Sequence, residues 1–463
     1  MADYTDPGLA IKKLAANVRA RGAGQDEAIA RKVSAPTSGS GQLVYNATTG
    51  EWEAAPTGDG VKPTALTQES GTLTLTLSDG QQLTVALPAG GSGEAAMLTG
   101  GLRIRGGEAN SRTAAKLPGT IERDYTYRSI AWYTAAYNYG IRMFRIAGVP
   151  SRTRGALLDE YMQHVADVLA VGPDVQVMLD PMHCYGVDSI DGATLRVLGK
   201  TWSVADFAAQ WGQIMSHATV KANIDRIIAV DILNEPTTDA MTGHTAESLR
   251  ATLYEAWQAT VDTIRDTGYS GWILCQPQNW AKALLLGTNV PTWPFENDPK
   301  VAVCLHYYFD NSGTYTKTYA GHLADQAGEG FTDFHHKTDS VMSVIGTWQA
   351  AHGNAPVWMG ELGWPPGTEW DTEGRYLMQC LNDASIPWIY DSLAADAAWQ
   401  GTPPGAVEPF TTSDTTPGND SPLDVVLDQG RAILAYIKTA PSGTESGGAE
   451  SVTDYPAGYM LAL

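Results

Sequence analysis

Short apolar runs and amphipathic helical stretches alternate through residues 101–440. The runs are GLRIRGG, IRMFRIAGV, VQVMLD, IIAVDILNEP, WILCQPQ, VAVCLHYYFD, PVWMGELG and IPWIYDSLA. Helical patterns lie at 125–140, 156–171, 203–219, 245–267, 339–352 and 371–384, and one at 422–439 closes the set. A strand with one wet face alternates apolar and polar residues. These runs do not alternate cleanly, as expected of strands buried on both faces of a parallel sheet. Eight of them, interleaved with helices, predict an α/β chain folded as a (β/α)8 TIM barrel. A doubly wound sheet is the competing architecture, but no Gly-rich phosphate loop opens a helix after the first strand.

A barrel of this kind gathers its active site at the C-terminal ends of its strands. There the sequence places Arg145 on the second strand, Asp180 and His183 at the third, and Asn234-Glu235-Pro236 at the fourth. His306 and Tyr308 end the sixth strand, and Glu361 the seventh. Glu235 and Glu361 therefore meet across the barrel mouth. Two such acids can cleave a glycosidic bond, one protonating the leaving oxygen while the other attacks or activates water. A single strand-end Glu is more often a salt-bridge partner. The ordered set points to catalysis.

These motifs resemble those of glycoside hydrolase family 5, a cellulase-like family of retaining (β/α)8 enzymes. ILNEP around Glu235 is similar to its acid/base motif and WMGELG around Glu361 to its nucleophile motif. Arg145 in FRIAGV, His183 and the pair His306-x-Tyr308 follow in the expected order, and the resemblance covers about residues 101–440. It implies that Glu361 is the nucleophile, kept ionised by Arg145 and a hydrogen bond from Tyr308. It implies that Glu235 is the general acid and then base, its pKa raised by the charge of Glu361. Asn234 would donate to a sugar 2-hydroxyl, while His183 and His306 would bind the sugar or position the acids. The chain departs from the family pattern twice. Asp180 and His183 have two residues between them instead of one, and the position of the usual eighth-strand Trp platform is Asp391. Either Trp388, Tyr390 or Trp399 supplies the platform, or the site prefers a different sugar from the cellulases. Trp280, Trp293, Trp364 and Trp370 are the loop aromatics expected for further subsites.

Fourteen Trp and twenty Tyr against seven Phe give an aromatic set rich in rings with polar tips, which suit sugar faces and hydroxyls. The formal net charge of −21 repels phosphate backbones and anionic lipid, so the chain is not expected to bind nucleic acid. No apolar run approaches the ~20 residues of a membrane span. The start, MADYTDPGLAIKK, lacks the charged and apolar regions of a secretory signal. Cys184, Cys275, Cys304 and Cys380 form no metal-binding spacing and read as buried thiols. The pair His335-His336 reads as surface. Neither a metal nor a cofactor is expected.

Composition shifts near residue 95. The stretch before it holds a short amphipathic segment (Ile11, Leu14, Ala15, Val18), two strands in GQLVYNATTGEWEAAP, a hairpin in GTLTLTLSDGQQLTVALP and a linker, AGGSGE. The expected organisation is a module over 1–95, a hydrolase domain over 96–440 and a tail over 441–463. The module resembles, less specifically, the β-rich segments of bacteriophage tail fibres, which implies a homotrimer carried on a virion with other tail proteins. The enzyme would then trim a bacterial surface polysaccharide. The alternatives are a carbohydrate-binding or spacer module on an ordinary bacterial enzyme, cytoplasmic or non-classically released, and a glycan-binding adhesin with little turnover.

Overall fold

The structure, a computed structural model, describes residues 43–46, 51–54, 63–69, 72–77, 82–86, 99–104, 127, 129–189, 191, 194–310, 317–392, 410–411, 425–426 and 428–437. The chain divides into two compact units, Met1–Ala95 and Ala96–Leu463. In the first, Leu43–Asn46 pairs antiparallel with Glu51–Ala54. Pro63–Glu69, Thr72–Leu77 and Gln82–Ala86 form a three-stranded antiparallel sheet. The hairpin read from the sequence thus carries a third strand at Pro63–Glu69, whose mixed composition hid it. The segment around Ile11–Val18, the linker at 89–94 and the tail at 441–463 lie outside the described residues.

The second unit holds a closed barrel of eight parallel strands. They are β1 (Gly100–Ile104), β2 (Met143–Ala147), β3 (Gln176–Asp180), β4 (Ile227–Asp231), β5 (Trp272–Cys275), β6 (Val301–Tyr308), β7 (Val357–Gly363) and β8 (Trp388–Ser392). The helices of the connections include α1 (Ile130–Tyr139), α2 (Ala156–Ala170), α3 (Val204–Ser216), α4 (Ala246–Asp266), α5 (Leu286–Asn289), α6 (Phe334–Ala351), α7 (Thr368–Asp383) and α8 (Asp428–Tyr436), with two further helices at Ala218–Ala222 and Tyr319–Gly328. Polar caps set several starts. Ser203 Oγ accepts the Asp206 amide at the start of α3, and Thr245 forms a capping box with Ser248 at α4. Helix α6 begins five residues before the expected 339, because the Asp333 carboxylate accepts the His336 amide and caps the helix there. The pair His335-His336 therefore lies in its first turn. Both are exposed, as expected, and His335 also meets Glu373 of α7 at 3.1 Å, an acidic partner that sequence spacing could not reveal.

Strand pairing closes through Trp388↔Gly100 and Asp391↔Arg103 between β8 and β1. Gly100 is required there: a Cβ would lie 2.3 Å from the Trp388 ring. Inside the barrel, Met143, Met178, Ala229, Leu274, Cys304, Trp358 and Ile389 form a buried cluster separate from the larger one packed against the helices. Because strand side chains alternate with period two, the residue two positions further along each strand returns to the same interior, one layer higher. On β1 the lower position is Gly101, whose Cβ would crowd Met143 and Ile389. The upper layer is then Arg103, Arg145, Asp180, Asp231, Gln276, His306 and Asp391, with Glu361 of β7 one residue further. This polar ring is the floor of the candidate site. No helix of the described residues is long and apolar enough to cross a membrane.

Candidate active site

Glu361 stands near the end of β7, only 3 % exposed. The preceding residue must be small, since a Cβ on Gly360 would lie 2.2 Å from Cys304 Sγ. Two guanidiniums converge on one oxygen of Glu361: Arg103 Nη1 donates to Oε1 at 2.7 Å and Arg145 Nη1 at 2.9 Å. Tyr308 donates its hydroxyl to Oε2 at 3.0 Å, and His306 Nδ1 lies 3.4 Å from the same oxygen. Burial alone would raise the pKa of this acid. The positive field of His306, Arg103 and Arg145 reverses that and holds it at about 2.

Arg145 is itself anchored from below. Its Nη2 lies 3.0 Å from both Asp180 Oδ2 and Asp231 Oδ2 and donates to Asn234 Oδ1 at 2.7 Å, while Nη1 also reaches the Gly360 carbonyl. Burial pushes the Asp180 carboxyl to about 7 and the Asp231 carboxyl to about 6, against the pull of Arg145. Both therefore titrate well above Glu361.

Glu235 is placed by backbone geometry that a non-glycine residue rarely adopts. Its φ is +49°, and its amide donates to Gln276 Oε1 at 2.8 Å. Strain of this kind costs about 1–3 kcal/mol and persists where the surroundings enforce it. Gln276 also donates to Asp231 and Asn234, so the end of β5 fixes the turn after β4. His306 Nδ1 lies 2.8 Å from Glu235 Oε1. Burial first, and then the charge of Glu361, raises the Glu235 pKa, with His306 opposing. One oxygen of each Glu and a ring nitrogen of His306 all lie within 4.8 Å of one another. Among the described residues these three are the group close enough to hold a metal ion. However, two guanidiniums already neutralise Glu361, and His306 directs Nδ1 at Glu235, so the donor set reads as an acid–base pair.

The spacing of Asp180 and His183 resolves simply. His183 Nδ1 lies 2.8 Å from Asp180 Oδ2 and Nε2 lies 3.1 Å from Arg103 Nη2. A guanidinium can only donate, so Nε2 accepts and the ring proton sits on Nδ1 facing Asp180. His183 is therefore a neutral relay between the β3 end and Arg103. Asn234 Nδ2 lies 3.2 Å from the same Nε2.

The structure thus brings Arg145, His183, Asn234, Glu235, His306, Tyr308 and Glu361 to one end of the barrel. The aromatic expectations divide. Trp364 and Trp388 are fully buried and are not platforms: Trp364 packs on Gly374 and Tyr390, and Trp388 donates to Asn382 and packs on Gly100. Tyr390, Trp293 and Trp370 are buried too. Trp399 lies outside the described residues. Trp280 remains partly exposed, edge-on to Tyr185 with ring centroids 5.4 Å apart. Asn279, Trp280 and Ala281 all have positive φ, and the Ala281 carbonyl accepts the His306 amide, so this loop is hooked onto β6 beside the acids. Sequence reading missed Tyr185, Gln276, Asp231 and Arg103. Of the thiols, Cys184, Cys275 and Cys304 are buried, but Cys380 is half-buried on α7.

The family model described as cellulase (glycosyl hydrolase family 5) matches residues 111–396. The chain belongs to glycosyl hydrolase family 5. It is a retaining glycoside hydrolase, a cellulase-like glycosidase of β-glycans. A comparison with curated proteins gives no match. Among solved structures, endoglucanase Cel5A of Pseudomonas stutzeri is similar at 20% identity, covering 74% of this chain and 95% of its own, with a TM-score of 0.53. XacCel5A in complex with cellopentaose is 19% identical, covering 73% and 98%, with a TM-score of 0.52. An endo-β-1,4-glucanase of Xanthomonas axonopodis pv. citri is 18% identical, with coverage of 73% and 99% and a TM-score of 0.52. At such identities the likeness of this family 5 chain to them is one of fold.

Proposed function

We propose that Glu361 is the nucleophile and Glu235 the acid/base of this hydrolase. The observation that carries the assignment is the contrast between two acids within 4.8 Å. Glu361 is held ionised by two guanidiniums and a hydroxyl, while Glu235 is pushed toward its protonated form. Retaining enzymes place their carboxyl groups about 5–5.5 Å apart, and inverting ones leave about 6.5–9.5 Å for a water. Glu361 attacks the anomeric carbon while Glu235 protonates the departing oxygen. Water, deprotonated by Glu235, then releases the sugar from Glu361. Tyr185 and Trp280 supply an aromatic wall beside the acids for a sugar ring.

The substrate we infer is a β-linked polysaccharide of a bacterial surface, with phage-tail carriage of the enzyme. The strand pairings of residues 43–86 support the carrier reading. Release of reducing ends is measured from β-glucans, β-mannans and bacterial exopolysaccharides. Turnover of one class is expected; glycan binding with no turnover on any would favour an adhesin.

The three-stranded sheet also motivates a prediction about assembly. Its register sets Leu66, Leu75 and Leu83 in one row, and a small sheet must cover an apolar face. Residues 1–95 are expected to drive trimer formation, with 96–463 an active monomer. Solution mass of the two chains checks this, and a monomeric full-length protein at micromolar concentration sinks the trimer.

A further inference from the structure

We propose that Asp391 is a positioning residue that takes over Arg103 and Tyr308 when the charge of Glu361 is consumed, so that both remain partnered in the covalent intermediate. The inference rests on Glu361 being the nucleophile and goes one step further along the same reaction.

Asp391 is fully buried on β8, paired in register with Arg103 of β1. Each of two donors to Glu361 stands between that acid and Asp391. Arg103 Nη1 is 2.7 Å from Glu361 Oε1 and 3.2 Å from Asp391 Oδ1. The Tyr308 hydroxyl is 3.0 Å from Glu361 Oε2 and 3.0 Å from Asp391 Oδ2. A phenol has one proton, so it serves one of the two carboxylates at a time. Arg145 has its own standing counter-charges in Asp180 and Asp231. Arg103 meets both Glu361 and Asp391, and its Nη2 meets the neutral ring of His183.

The consequence follows from charge balance. As Glu361 attacks, a carboxylate oxygen bonds to the anomeric carbon, and the bond to the leaving oxygen breaks with its electron pair. The leaving oxygen takes the proton of Glu235. Glu361 is now a neutral ester and a weak acceptor. The negative charge has moved to Glu235, on the far side of His306, while Arg103 loses the charged oxygen it held at 2.7 Å. Losing a direct partner of a buried charge is costly. Asp391 meets the charge at once, and the Tyr308 proton rotates to it. When water attacks and the ester bond breaks, its electron pair returns to Glu361, and both donors swing back. Asp391 thus favours formation of the ester and slightly opposes its breakdown. A residue that merely held the strands together would not separate the two steps.

The test is the protein trapped with 2,4-dinitrophenyl 2-deoxy-2-fluoro-β-cellobioside, followed by removal of free reagent. The rate of ester formation is read from the dinitrophenolate burst and the rate of ester hydrolysis from recovery of activity. Both are first-order constants of the reacting population, so a smaller folded fraction changes neither. In Asp391→Asn the ratio of formation to hydrolysis is expected to fall at least ten-fold, chiefly through slower formation. Asp391→Ser, also uncharged but smaller, is expected to show the same fall if the Asn variant does not fold. A ratio within two-fold of the parent in a folded variant overturns the proposal. Peptide mass analysis of the trapped parent keeps the two readings apart. A label on Glu361 with an unchanged ratio defeats only the role of Asp391, and a label on another residue defeats the nucleophile assignment beneath it.

Discussion

Glu361→Gln lowers kcat/KM on every β-glycan by about 10⁵-fold or more, the scale seen when a covalent nucleophile is removed. The amide has the same shape and still accepts from Arg103 and Arg145, but it cannot form the glycosyl ester. The fold is expected to survive, for a specific reason. Removing one partner of a buried ion pair usually costs about 3–5 kcal/mol. Here each guanidinium keeps another carboxylate, Asp391 for Arg103, and Asp180 with Asp231 for Arg145. Unfolding followed by circular dichroism alongside residual activity checks both halves. A variant with near-native rates would remove Glu361 from the mechanism.

Glu235→Ala separates substrates by their leaving groups. On polysaccharide, whose departing oxygen needs a proton, the loss is about 10²–10⁴-fold. On dinitrophenyl glycosides, whose phenolate leaves unaided, formation of the ester stays near the parent rate and its hydrolysis becomes limiting. The pH profile changes with it. Burial, and then the charge of Glu361, lifts the Glu235 pKa above the ordinary carboxylate range. Activity requires the protonated acid, so the alkaline limb of the parent kcat/KM profile falls as pH rises through that lifted value. The variant loses this limb. Steady-state rates on both substrate types across pH measure the effect.

The barrel was legible because eight apolar runs are long, regular and spaced by helices, and because Glu235 and Glu361 sit in motifs at strand ends. Arg103 was not. It lies between Leu102 and Ile104, with Arg105 close by, and nothing local says which of the two arginines enters the barrel. The signal exists only once the interior is known, since Arg103, Gln276 and Asp391 each stand two residues beyond an interior position. Asp391 was noticed as a departure from the family pattern, but its meaning needed the cross-barrel neighbours Arg103 and Tyr308. Trp364 and Trp388 misled for a related reason. Aromatics near strand ends are read as open to the cleft, whereas these two fill space left by Gly374 and Gly100. The early start of α6 turned on one side chain, Asp333, whose capping role depends on the local backbone.

The division of labour between the two acids is tested most directly by the anomeric configuration of the product formed with azide from an activated β-glycoside. In Glu235→Ala, azide replaces water in the second displacement, and the product is expected to be the β-glycosyl azide. In Glu361→Ala, azide enters from the opposite face in a single displacement, and the α-glycosyl azide is expected. Proton NMR of the anomeric hydrogen distinguishes them. An α product from the Glu235 variant together with a β product from the Glu361 variant would contradict the account by exchanging the two roles.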